Sequence, residues 1–119
     1  NYYKKISGGL ISSALKLIEG QYSIKIIDVP GVFEIPVTIS KNLKKFDAFI
    51  ALGCVIKGQT PHFDFISQAS TTAIMTLSIE SRKPIGNGII TCLNMKQAKE
   101  RKKKGAEAAK AIISILNQR

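Results

Sequence analysis

The chain has no tryptophan, one histidine, two cysteines and four prolines in 119 residues, and only eight acidic residues against eighteen basic ones. Each shortage excludes something. One histidine and two separated cysteines leave no run with the ligand spacing of a structural zinc site. The two thiols, Cys54 and Cys92, fit no disulfide framework of the kind that staples small secreted domains, so reduced thiols are expected. No apolar run approaches the roughly 18 residues of a membrane span. No secretory-leader pattern is read, and a cytoplasmic protein is expected.

What is present is an ordinary globular composition with a basic balance. Apolar residues make up 45% of the chain, which is enough for a real core in a single domain covering residues 1–119. The formal net charge of +10 fits nucleic acid, an acidic surface or an anionic small substrate. Six basic residues fall between Lys96 and Lys104, opposed only by Glu100. No aromatic is interleaved with them, as stacking on a single strand requires. The run matches no nucleic-acid motif, and a solvated charged face explains it equally well.

Periodicity gives alternating elements. Residues 6–19 carry apolar side chains at a helical period, ended by Gly20. Residues 22–29 read as an isoleucine-rich strand, and Pro30-Gly31 turns the chain. A second helix opens at Phe33-Glu34-Ile35-Pro36, with Ile35, Ile39 and Leu43 on one face and Lys41, Lys44 and Lys45 suited to its C-terminal end. Residues 47–56 form an unbroken apolar strand, which implies that both its faces are covered. A long helix rich in Ala, Ser and Thr spans 62–81, and its small side chains permit close packing on a sheet or another subunit. Residues 85–92 form the last strand. Asn94 caps a short helix from Met95 to about Arg101, and 105–118 close the chain with Ala109, Ile112, Ile113 and Leu116 facing inward. The alternation predicts a three-layer α/β/α sandwich around a parallel sheet, with ligands beyond the carboxyl ends of the strands.

Two loops fall on that edge, Pro30 to Glu34 and Gly53 to His62. In the second, Gly58, Gln59 and Thr60 break the strand. Thr60 has N-cap chemistry, and Pro61 suits the first helical position. Free N–H groups and a positive dipole end at such a turn suit a phosphate. His62, the single histidine, sits in the first helical turn, where the dipole disfavours imidazolium and leaves a neutral base. Capping alone also accounts for Gly, Thr and Pro, and a surface histidine needs no role.

The residues also carry a resemblance. Val29-Pro30-Gly31-Val32-Phe33-Glu34-Ile35-Pro36 is similar to a Val-Pro-Gly-Ala-Phe-Glu-Ile-Pro block of the lumazine synthase family. The stretch from Ala51 to Asp64, Ala-Leu-Gly-Cys-Val-Ile-Lys-Gly-Gln-Thr-Pro-His-Phe-Asp, resembles that family's second block almost residue for residue. Pro84-Ile85 through Thr91, then Gln97-Ala98 with Glu100-Arg101, resembles a third. Lys104-Gly105-Ala106-Glu107-Ala108-Ala109 resembles a fourth. Nearly the whole chain is covered, in order.

The resemblance implies a flavodoxin-like parallel sheet of about four strands, the first of them absent from this sequence, and a transferase of riboflavin biosynthesis. The reaction condenses 5-amino-6-ribitylaminouracil with 3,4-dihydroxy-2-butanone 4-phosphate to give 6,7-dimethyl-8-ribityllumazine, phosphate and water. No metal or organic cofactor is implied. The implied site lies between subunits of a homopentamer, and some members assemble twelve pentamers into an icosahedral shell of sixty copies. Gly58, Gln59 and Thr60 would hold the butanone phosphate, with Arg101 clamping it from the neighbouring subunit. His62 would move protons. Lys104 matches a lysine near the pyrimidine, with no Schiff-base role implied. Val32, Phe33 and Glu34 would line the ribityl chain, and Tyr2 would stack on the pyrimidine. Cys54, Val55 and Ile56 would offer main-chain contacts, with Cys54 a small filler in place of the family's frequent Thr.

Three departures from the pattern stand out. Asn87 replaces a large apolar residue, usually Phe, and could hydrogen-bond the ring instead. The stretch from Arg101 to Lys104 is shorter than the family's glycine-containing loop. The family's first strand is central, and Asn1 starts just after it, so an apolar strand is expected ahead of Asn1. An intact mass equal to that of residues 1–119 would contradict that expectation. Two other readings compete with an active enzyme: a relative that assembles and binds ligand with altered chemistry, and a basic anion- or nucleic-acid-binding module.

Overall fold

The computed structural model describes residues 2–57 and 63–118. Its elements run α1 (Tyr2–Ile18), a short 3₁₀ turn (Val32–Glu34), α2 (Ile35–Asn42), β1 (Phe49–Ile56), α3 (Phe63–Ser81), β2 (Ile85–Cys92), α4 (Met95–Glu100) and α5 (Lys104–Leu116). β1 and β2 are parallel, in register from Phe49 opposite Ile85 to Ile56 opposite Cys92. Helices cover both faces, giving three layers. On one face Leu10, Ile56, Ile90, Cys92 and Ala98 join α1, α4 and the sheet, and Ala14, Ile18 and Ala109 join α1 to α5. On the other, Ile35, Ile39, Ala51 and Ile74 join α2 and α3 to β1.

Local sequence explains most boundaries. Gly20, at φ +84, takes the left-handed conformation just past the end of α1. α1 begins at Tyr2, four residues before the expected start, because Tyr and Lys tolerate a helix without contributing to the apolar period that marks residue 6. The strands match expectation closely and begin or end within two residues of it. Close contact between layers depends on glycine. At Gly86, a Cβ would strike the Ala108 carbonyl of α5, so the helix lies directly on the strand.

The strand expected over residues 22–29 is not formed. The segment joins no ladder, and the described sheet has two strands rather than about four. A cavity of about 300 Å³ lies between it and β1, lined by Ile24, Ile26 and Val29 on one side and Phe49, Ile50 and Leu52 on the other. Isoleucine content marks an apolar segment but does not supply its pairing partner.

Lys41 lies in the last turn of α2, as expected, and a further cation comes from elsewhere in the chain. Lys83, just before β2, donates through Nζ to the carbonyls of Leu43 and Phe46. The carbonyls left open after α2 are therefore satisfied by tertiary contact rather than by Lys41, Lys44 or Lys45. None of the described helices is long and apolar enough to cross a membrane.

Candidate active site

The two strands end at the same level. Lys57 N donates to Cys92 O across 2.8 Å, continuing the ladder one step beyond β1. Both strands therefore deliver the chain to one edge of the sheet. The 3₁₀ turn reaches β1 through Val32, which packs on Gly53. A Cβ at Gly53 would come within 2.8 Å of Val32 Cγ2 and 3.6 Å of Ile35 Cδ1. Glycine at 53 is thus what allows the Val32–Glu34 turn to lie against the strand. The glycine of the second block and the valine of the first are one contact.

Phe33 and Glu34 leave this turn differently. Phe33 is 56% exposed, and its ring stacks on Phe65 of α3, centroids 6.3 Å apart at 27°. The pair forms an aromatic wall open to solvent. Phe65 is a site residue that sequence reasoning misses, because nothing local pairs it with Phe33. Glu34 is half-buried and occupies the N-cap position of α2 without a side-chain cap bond. Its carboxylate curls back over Gly31, and its main chain is fixed by Glu34 N to Gly31 O at 3.1 Å and by Thr38 Oγ1 donating to Glu34 O at 2.8 Å. The carboxylate remains available as an acceptor beside the aromatic wall.

Val55 and Ile56 point into the core, at 6% and 3% exposure, so main-chain groups are what they can offer a ligand. Cys54 is half-buried and pushed up to about 11, first by burial, then by the charge of and hydrogen bond with Cys92. A thiol held protonated is a poor nucleophile, which agrees with a filler role. The Cys92 thiol is also raised, burial outweighing the lowering influence of Arg101 beside it.

Arg101 reaches the same strand end. Its Nη1 donates to the Thr91 carbonyl at 2.7 Å, and the guanidinium also lies against the Cys92 thiol. Its backbone is fixed by Arg101 N donating to Gln97 O and Ala98 O. The stretch after it is short and tied down. Lys104 N donates to Arg101 O at 3.1 Å, while Ser13 Oγ of α1 accepts from Ala106 N and donates to the Lys102 carbonyl, each at 3.0 Å. Residues 101–103 therefore form a tight turn held against α1.

Of the other expected site residues, Lys104 is exposed at the start of α5 and pairs with Glu107 at 3.4 Å. Asn87 is engaged within its own strand. Its Oδ1 accepts from Ile89 N at 3.0 Å, covering an N–H on the outer edge of β2. Tyr2 is the first residue of α1, and its side chain is outside what is described. Gly58, Gln59, Thr60 and His62 lie outside the described residues. The structure thus sets Val32, Phe33 and Glu34 against β1 on one face of the carboxyl edge, with Phe65 beside Phe33, while Arg101 is held separately at the end of β2 through Thr91, on the turn that Asn94 and Gln97 cap.

Comparison with known proteins identifies the family. The family model described as 6,7-dimethyl-8-ribityllumazine synthase matches residues 1–119. The 6,7-dimethyl-8-ribityllumazine synthase of Bartonella tribocorum is 40% identical over 124 aligned positions, covering 97% of this chain and 82% of the relative. That of Cutibacterium acnes is 39% identical, covering 97% and 75%. That of Polynucleobacter necessarius is 40% identical, covering 94% and 67%. With a family match along its whole length and relatives at this identity, the chain belongs to the 6,7-dimethyl-8-ribityllumazine synthase family.

Proposed function

We propose that the chain catalyses condensation of 5-amino-6-ribitylaminouracil with 3,4-dihydroxy-2-butanone 4-phosphate, releasing 6,7-dimethyl-8-ribityllumazine, phosphate and water. It acts in riboflavin biosynthesis as a cytoplasmic transferase, a single domain of residues 1–119 that needs no metal or organic cofactor. The observation that carries the reading is the contact of Val32 on Gly53, which sets the ribityl-lining turn on the strand leading to the phosphate turn.

Each role has a physical basis. Phe33 and Val32 give the ribitylaminouracil an apolar wall, and Glu34 accepts from ribityl hydroxyls. Main-chain groups of Cys54, Val55 and Ile56 meet the pyrimidine, with Tyr2 stacking on it and Asn87 at the ring's far side. Gly58, Gln59 and Thr60 bind phosphate through N–H groups and a hydroxyl. Arg101 of a neighbouring copy neutralises it, which binds the substrate and stabilises the leaving group. The substrate amine attacks the butanone carbonyl, and His62 moves protons through imine formation, phosphate elimination and ring closure. Lys104 adds positive charge near the pyrimidine. A site shared between copies makes the protein a homo-oligomer, a pentamer or a shell of pentamers.

Turnover tests this directly, by lumazine absorbance against a protein-free blank. Because substrate amines and phosphate can also carry protons, His62→Ala is expected to lower kcat about tenfold rather than abolish it. Arg101→Ala is expected to raise KM for the butanone phosphate by about tenfold or more. No product from a folded, oligomeric protein would favour the relative with altered chemistry. Binding to nucleic acid that weakens steeply with salt and ignores Glu34 and His62 would favour the basic module.

A further inference from the structure

α4 has six residues, too few to be stable alone, yet it carries the chain from the end of β2 to Arg101. Two side chains close its start reciprocally. Asn94 Oδ1 accepts from Gln97 N at 3.0 Å, and Gln97 Oε1 accepts from Leu93 N at 2.9 Å. This is a capping-box arrangement shifted by one residue. Ala98, fully buried among Leu10, Ile56, Ile90 and Cys92, pins the middle of the turn to the core. At the far end Arg101 closes the loop back onto the strand through Thr91 O. From Thr91 to Arg101 the chain is therefore a closed ring of hydrogen bonds, with the guanidinium as its last member.

We propose that Asn94 and Gln97 are positioning residues for the phosphate-binding Arg101. Their interlocked cap holds α4 in register, so the guanidinium stays at the strand end against Thr91 O. Neither residue touches substrate. The inference rests on the reading of Arg101 as the phosphate clamp. Sequence alone marks Asn94 as a cap but not what the cap holds in place.

The test uses Asn94→Ala, Gln97→Met (which keeps bulk but removes the acceptor), Asn94→Ser (an uncharged residue that restores a cap) and Arg101→Ala. Steady-state constants are measured for each substrate separately, beside competitive inhibition by inorganic phosphate. Loss of either cap is expected to raise KM for the butanone phosphate, and the inhibition constant of phosphate, by about three- to tenfold. KM for the ribitylaminouracil stays near wild type, and Asn94→Ser returns phosphate affinity to within about twofold. A merely structural cap would change both substrates alike. Wild-type phosphate affinity in both cap variants, with affinity lost in Arg101→Ala, would overturn the positioning role and leave the clamp standing. Unchanged phosphate affinity in Arg101→Ala would overturn the clamp and this proposal with it.

Discussion

Cys54 and Cys92 sit near each other at the carboxyl ends of adjacent strands, and their chemistry comes from that placement. Cys54 lacks a neighbouring base in sequence, which already argues against a nucleophile. The structure adds the cause, burial beside a second thiol, which pushes it from 9.0 to about 11. The sign of the linkage is that of any acid kept neutral by folding. The folded state holds the proton more tightly than the unfolded one. This contribution is complete below about pH 9 and is lost as pH rises toward about 11. Alkylation of Cys54, followed by peptide mass mapping in the chain with both thiols present, is expected to stay slow at pH 8 and to accelerate well above pH 9, unlike the same thiol in denaturant. A native profile that levels off near pH 9 would remove the argument. Asn87 shows the opposite relation between sequence and structure. Its identity suggests a ligand contact, but its side chain serves the open edge of its own strand.

Among elements, the ends of α2 and α3 illustrate what local signals miss. α3 ends at Ser81 and the chain turns through Arg82 at φ +60. That is a left-handed conformation where an L side chain is strained and glycine is not. Arg82→Gly is expected to raise stability by about 0.5–1 kcal/mol, read as a higher urea midpoint at constant slope. An unchanged midpoint would mean that the arginine stem compensates by packing. No glycine marks this helix end, yet the helix expected over 62–81 ends at Ser81 as read from the sequence; the left-handed Arg82 that follows is what the sequence does not show. The next residue, Lys83, closes the end of α2 forty residues away in the chain, a contact no local pattern contains.

The whole molecule leaves apolar surface uncovered. On α3, Met75 and Ile79 stand one turn apart at 61% and 70% exposure, while Ala69, Ser70 and Ala73 turn toward their own chain. The expected small-residue face is thus largely used within the subunit, and larger side chains are what α3 presents outward. Residues four apart share one helix face, and a paired apolar face of this kind suits association. Sedimentation velocity at micromolar concentration is expected to show an oligomer, and Met75→Glu with Ile79→Glu is expected to shift it toward a single chain. A wild-type monomer would contradict both this surface and a site shared between copies.

Helix identity, the two paired strands and the order of the layers were determined by the sequence, because hydrophobic period, capping residues and turn chemistry act over a few residues. Tertiary structure alone decided that Val32 packs on Gly53, that Phe33 stacks on Phe65 and that Arg101 is held by Thr91. Each of these depends on which surfaces meet across the sheet and how far apart they stand, and that distance is set by packing between elements rather than by the preferences of any one of them.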